Sequence, residues 1–591
     1  MRKNSLQKAC AVALTGAMVM GSLAGCSKET SNNETTTAKQ EETTTKKAEE
    51  TTTKAAEETT TKAAEETTTA APEAVAGIDG WVPFAEKVSI DIPVYDRGKE
   101  GVPAIGENYW ETWVQENFGD KYNIDVNFVP ITRSDVLTSY ALLAAAEDLP
   151  TILMEYDYPK QAQWAADGYL AEYDLEAFAQ VAPTYYNRMV ELGQLTYTEM
   201  DGKCYFALAE RPFFNTNYSH ATWVRMDWLR QVGYDHVPAT REEYVDAMTK
   251  IQEAGICEHP AGGSMINGVG ADQNYGYREY PQVEEEWVMY GDYNIPSLGW
   301  EPNYQLLKQA NEDYNLGFTN PEYNLTDAAT AESQFVSGQA YSWAGYYSAN
   351  TPVLTSFYEQ NPDAELAVVP TSTVADTTND TVPAQRSNNP FGMMVSFSSQ
   401  ATEDEITAAW MYMEWMTQEE NLFTMQWGNE GEHYTLGEDG LPVSVADYSG
   451  DKTQGYNNSK DYWCVTVEAR VAGTIEDVIK AASPVGLPQD FTQDLIDNYY
   501  KQVEVWEKGW VPVDCMFATE IPAVTEYQGE LVEAYKVYRD NLTMCKPEEF
   551  DALYEQYAAE YAEMGYQAVA DDRLEAFNNG LTSRLPEDQR K

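Results

Sequence analysis

From Lys87 to Tyr95 (KVSIDIPVY) apolar and polar positions alternate with a period of two, the pattern of a half-buried strand. Tyr109 to Phe118 reads as an aromatic-rich helix, and Asn123 to Pro130 (NIDVNFVP) as a second strand. Ser134 to Ala146 is helical, with Ser134 or Asp135 available as N-cap. Leu149 to Glu155 (LPTILME) is a short buried strand. Strand, helix, strand, helix, strand predicts an α/β lobe with parallel neighbours. After the turn dipeptide Asp201-Gly202 a second run begins, with strands at Lys203 to Ala209 and Ser219 to Arg225. A helix over Thr240 to Ala254 follows, where Thr240 and Glu243 have the spacing of a capping box. Gln339 to Ala344 and Glu365 to Pro370 read as strands, Phe391 to Phe397 is continuously apolar, and Glu403 to Thr417 is a strong helix. From about Thr492 the chain is mainly helical, through Pro547 to Ala570. The expected class is α/β, in two lobes with a helical C-terminal portion. Trp410, Tyr412, Met413, Trp415 and Met416 are read as core, and Glu284-Glu285-Glu286 as a solvated run.

The N-terminal 80 residues have a different character. Arg2, Lys3 and Lys8 precede a charge-free, mostly apolar run from Ala9 to Gly25, the form of a secretory leader (residues 1–25). It ends in Leu23-Ala24-Gly25-Cys26, which resembles the bacterial lipobox. That resemblance implies cleavage before Cys26 and a diacylglycerol on its sulfur, and so anchoring to the extracellular face of the cell membrane. Residues 26–80 read as a tether. EETTTKKA from Glu41 recurs as EETTTKAA from Glu49 and Glu57 and as EETTTAAP from Glu65, with no large apolar residue to form a core. As a flexible coil the stretch from Cys26 to Trp81 spans roughly 40 Å. No later run has the length of a membrane span.

Charge narrows the partners. The chain of 591 residues carries 96 Asp+Glu against 38 Lys+Arg, a net −58 that becomes −61 once Arg2, Lys3 and Lys8 are lost with the leader. Nucleic acid as a partner is excluded, because phosphate binding needs a positive footprint. Four His and the absence of any CxxC pair speak against a metal centre. The acids of Asp376 to Asp380 (DTTND) lack EF-hand spacing, so no metal or other cofactor is expected. Beyond the leader the five cysteines Cys204, Cys257, Cys464, Cys515 and Cys545 are scattered and odd in number, so at least one thiol is free. No GxSxG, HExxH or Gly-rich phosphate loop occurs.

Four segments in order carry a family resemblance. NIDVNFVPITRSD (123–135), AEDLPTILMEYD (146–157), WVRMDWLRQVGYDHVPATREEY (223–244) and WGNEGEHYTLGEDG (427–440) are similar to motifs of the extracellular solute-binding proteins of bacterial ABC importers, in the carbohydrate-type family 1 branch. The stretches 258–300 and 442–515 depart from the family pattern. The resemblance implies a two-lobed periplasmic-binding-protein-like fold over 81–591, with ligand held in the cleft between hinged lobes. Lobe 1 is expected at 81–212 and 383–432 and lobe 2 at 213–382, with 433–591 mainly helical and open as to lobe. It also implies ABC permease subunits as partners of a monomeric binding protein.

Ligands of open α/β sheets lie at the carboxyl ends of strands, so the loops after strands supply the candidates. A sugar needs flat aromatic faces together with polar groups for its hydroxyls. Asp96 and Arg97 follow the first strand, where an exposed turn is the other reading. Glu155, Tyr156 and Asp157 follow the third. Trp343, expected to stack on a sugar ring as in related sugar binders, leads Tyr346 and Tyr347 in the second lobe. Trp223, Arg225 and Asp227 are expected at the crossover between lobes, with core packing the alternative for Trp223 and the preferred reading for Trp228. Asn389 and Phe391 open a strand that returns to the first lobe, and Trp427 and His433 flank a turn. The expected function is a lipid-anchored receptor that captures a neutral oligosaccharide and is not an enzyme. The alternatives are a surface glycoside hydrolase with a carboxylate dyad and a binding protein for a peptide or other non-sugar solute.

Overall fold

A computed structural model describes residues 80–583 except 98–103, 107, 214, 215, 217, 262–283, 293, 350, 370–388, 390, 446, 447, 449, 451, 453–458, 471, 472 and 508–515. The leader, Cys26, the repeat, Asp376 to Asp380 and Cys515 lie outside the described residues.

The alternation at the start of the globular part becomes β1 (Val88–Asp96), which pairs in parallel with β2 (Ile124–Thr132) from Val88↔Ile124 to Asp96↔Thr132. Ile90, Ile92 and Val94 are wholly buried. The helix Val136–Ala145 begins where Asp135 accepts from the Thr138 N–H, so Asp135 is the cap. β3 (Ile152–Glu155) lies beside β1, where Thr151 Oγ1 accepts from the Asp91 N–H at 3.0 Å. Its ladder partner differs from the expected parallel neighbour. β3 pairs antiparallel with a strand that arrives more than 200 residues later, and that strand also pairs with β4 (Ala207–Glu210). The late strand, Phe391–Phe397, is buried at all seven positions, as a central strand covered on both faces must be.

The second lobe is built on β5 (His220–Arg225), flanked antiparallel by β6 (Ser342–Tyr346) and β7 (Leu366–Val369). The returning strand Phe391–Phe397 is β8. Alternation along β5 splits lobe 2 into two cores. Trp223 packs with Phe335, Phe357 and Phe491, and Val224 with Trp228, Met248, Ile251 and Phe318. The helix Arg241–Glu253 is capped by Thr240, whose hydroxyl accepts from the Glu243 N–H at 3.2 Å. The return leg of the box goes one residue further back, from the Ala239 N–H to Glu243 Oε2 at 2.8 Å.

The C-terminal portion belongs to no single lobe. Tyr462, Trp463, Cys464, Val465 and Val467 are buried in the lobe 1 core with Trp410, Tyr412, Met413, Trp415 and Met416. Val478, Ile479, Phe491 and Leu495 complete lobe 2. The helices Pro522–Met544, Pro547–Tyr561 and Gln567–Asn578 form a further core with residues 288–307, a stretch that sequence reading places in lobe 2. A buried ion pair locks this unit, with Arg573 Nη1 at 2.5 Å from Asp292 Oδ2 and both side chains about 5% exposed. Cys204, Cys257, Cys464 and Cys545 are free thiols. Among the described residues no helix is long and apolar enough to cross a membrane.

Candidate functional site

Three of the passages between lobe 1 and lobe 2 converge among the described residues. One leaves the end of β4, one returns into β8, and one follows Val467. They meet in one strip. The Glu210 N–H donates to the Thr466 carbonyl at 2.8 Å, the Glu468 N–H donates to the Glu210 carbonyl at 2.8 Å, and Phe391 of β8 pairs with Glu210. Arg211 then forms an ion pair with Glu468, and its Nη1 donates to the Asn389 carbonyl at 3.4 Å. Asn389 thus enters the site through its backbone.

The carboxyl end of β1 opens on the same region. Asp96 there is exposed. Arg97 turns back onto Asp461, with Nη1 at 2.8 Å from Oδ2 and Nη2 at 3.2 Å from Oδ1. Asp461 is fully buried and also accepts from the Tyr95 N–H at 2.9 Å, so the ion pair fixes the rim of β1 to the segment that enters the strip. Tyr156 is half-buried. Burial drives its hydroxyl well above the ordinary tyrosine range, with Cys464, Glu468, Asp461 and Tyr346 adding to the shift, so it stays a proton donor.

From lobe 2 the matching group is Tyr346, the last residue of β6, which is 41% exposed and lies over the His220 ring at 3.8 Å between centroids. It acts electrostatically on both Tyr156 and Arg211. Arg211 and Glu468 are in contact, and Tyr156 and Tyr346 lie within electrostatic reach of that pair. The arrangement offers two aromatic hydroxyls, one exposed ring face and two guanidiniums already matched to carboxylates.

The other expected residues have different places. Glu155 is 3% exposed, and its Oε1 accepts from the Tyr156 and Asp157 N–H groups at 2.8 and 3.3 Å. Asp157 caps the helix Tyr158–Ala166 and accepts from Asn294 Nδ2 of the helical unit at 3.1 Å. Burial raises its carboxyl to about 7, with Lys160 opposing and Glu155 and Asp292 reinforcing the rise. Trp343 lies within β6, because that strand runs to Tyr346 and not to Ala344. Its ring stacks on Phe335 at 5.8 Å, on the side of the lobe 2 core. Trp223, its register partner, is fully buried and meets Phe491 edge-on at 4.8 Å.

Arg225 and Asp227 are not at the crossover. The passage enters β5 at His220, so Arg225 lies roughly 17 Å along the strand, at its far end. There it forks onto Asp227 at 2.9 and 2.7 Å and covers the Trp228 ring at 4.5 Å. Phe391 is fully buried, Trp427 is 2% exposed under the Arg470 guanidinium, and His433 is held between the Asn429 N–H and the Lys452 carbonyl. Arg211, Asp461, Glu468 and His220 went unread in the sequence. Arg211 stands just after a strand, as Arg97 does, but Asp461 and Glu468 fall in a stretch with no motif.

Two α/β lobes whose connecting passages converge, with aromatic and paired charged groups collected where those passages meet, define a two-lobed solute-capture protein. Residues 113–429, more than half of the chain, match the family model of the bacterial extracellular solute-binding proteins, and the chain belongs to that family. Its fold is similar to that of an extracellular solute-binding protein from Bifidobacterium longum subsp. infantis, with a TM-score of 0.59 and 12% identity over 85% of this chain and 100% of the other. An HMO-binding, ABC-transporter-associated solute-binding protein from Bifidobacterium longum infantis has a TM-score of 0.58 and 10% identity, over 84% of this chain and 99% of the other. The N-glycan transport solute-binding protein of Streptococcus pneumoniae has a TM-score of 0.51 and 12% identity, over 84% and 100%. No curated protein matches the sequence.

Proposed function

We propose that this chain is a lipid-anchored extracellular receptor, held through Cys26, that captures a neutral oligosaccharide between its lobes and delivers it to ABC permease subunits as a monomer. The observation that carries the ligand class is the pairing of charges. Arg97 is matched by Asp461 and Arg211 by Glu468, while Tyr156 and Tyr346 offer hydroxyls and an exposed ring beside them. A neutralised floor suits sugar hydroxyls, and an acidic sugar placed there would compete with carboxylates already in position. The two relatives of similar fold that bind or transport glycans favour the same class.

A binding role also suits the acids after β3. Glu155 is turned inward onto the backbone and Asp157 serves as a helix cap and inter-unit contact, structural roles that a binding protein needs. The test is a thermal-shift screen of the protein against matched neutral and uronic-acid-containing glycans. A ligand at 100 times its Kd adds about 2.7 kcal/mol of stability. A larger shift with an acidic glycan than with every neutral one would refute the ligand class. Release of reducing ends from the glycan that binds would refute the receptor reading in favour of a hydrolase.

A further inference from the structure

We infer that Arg211 and Glu468 are a positioning pair that sets the angle between the lobes by clasping the inter-lobe passages at their lobe 1 ends. This rests on the two-lobed capture reading and not on the identity of the ligand. Glu210 is bonded to Thr466 and Glu468 through its backbone and held from the lobe 1 side by Arg188, at 2.7 and 2.6 Å. Arg211 is the next residue. Two residues further on, Phe213 already packs on Tyr218 and Tyr499 of lobe 2. A rotation of one lobe against the other is therefore concentrated just beyond Arg211 on the first passage, whereas on the third Ala469 and Arg470 are still held to lobe 1 by Gln426 and Trp427.

The clasp spans all three passages, since Arg211 also donates to the Asn389 carbonyl. Its side chains are only 16% and 21% exposed, so the ion pair is better shielded than a surface pair. Gly392 makes the close approach possible, because a Cβ there would come within 2.9 Å of Glu468 Cβ. Glu468 of this pair acts electrostatically on Tyr156 of lobe 1, and Tyr346 of lobe 2 acts on Arg211, so groups of both lobes sense the clasp.

The test uses the full chain without ligand. Glu468→Gln and Arg211→Lys are compared with wild type and with the charge swap Arg211→Glu/Glu468→Arg. The readouts are amide exchange and hydroxyl-radical oxidation of tyrosine, with near-ultraviolet circular dichroism to report folding. In Glu468→Gln the amides of Glu210 and Glu468 are expected to exchange about tenfold faster. Those of Ile90 and Ile92 in the lobe 1 core should stay unchanged, and oxidation of Tyr156 should rise. The charge swap is expected to restore both readouts. Unchanged exchange in the strip, equal acceleration in the strip and the core, or a folded swap that behaves like the single variants overturns the proposal. If the single variants do not fold, the swap alone decides: wild-type exchange in a folded protein supports the clasp, and a swap that also fails to fold refutes it.

Discussion

Tyr346→Ala and Trp343→Ala test whether Tyr346 is the aromatic that covers the ligand while Trp343, on the same strand, packs. Tyr346 is 41% exposed and its ring lies on His220, so truncation loses one aromatic pair, about 0.5–1.5 kcal/mol of stability. Trp343 is half-buried and stacked on Phe335 above the lobe 2 core. Removing a fully buried indole costs about 3–5 kcal/mol, and partial exposure reduces this to roughly 2–3 kcal/mol. The effects on binding run the other way. An aromatic that covers a sugar face contributes on the order of 2 kcal/mol, about thirtyfold in Kd, and this loss is expected for Tyr346→Ala. Each variant is melted and then titrated calorimetrically with the neutral oligosaccharide that gives the largest thermal shift. The expected pattern is near-native melting with weakened binding for Tyr346→Ala, and early melting with nearly unchanged Kd for Trp343→Ala. Thirtyfold weaker binding in a Trp343→Ala protein of native melting temperature would refute the placement argued from β6, as would an unchanged Kd in Tyr346→Ala.

Asp157→Asn keeps the helix cap but removes a carboxyl raised to about 7. A raised carboxyl contributes stability that is fully present below its ordinary value near 3.8 and is lost as pH rises through about 7, so the variant should gain melting temperature over wild type between pH 5 and pH 8 and not below pH 4. An unchanged difference across that range would contradict the assignment. Arg573→Met leaves Asp292 buried without its partner, with an expected cost of about 3–5 kcal/mol, read as faster amide exchange in the helices Pro522–Met544 and Gln567–Asn578. Cys26→Ala should move the protein from the detergent phase to the culture medium, and retention in the detergent phase would exclude the anchor.

Local chemistry made much of the fold legible along the chain. β1 followed from alternation, β2 and β5 were read as strands, Thr240 followed from cap chemistry and Asp135 was one of two cap candidates, because period and capping depend on residues a few positions apart. The seven-residue apolar run of β8 likewise announced a buried strand. The site was legible only in part. Arg97, Tyr156 and Tyr346 stand at strand ends, which is a local property. That Trp343 packs against the lobe 2 core while Tyr346 stands at the strand end depended on where β6 stops, a two-residue difference that tertiary pairing with His220 decided. Arg225 was misplaced because sequence names the residues of β5 but not which of its ends meets the passages. Asp461 reaches Tyr95 across 366 positions, and Glu468 reaches Arg211 across 257. Contacts of that span have no signature in either segment, since neither needs a distinctive pattern of its own. They form because the two cores bury their apolar faces and, in doing so, bring the three passages together with their charges to be matched.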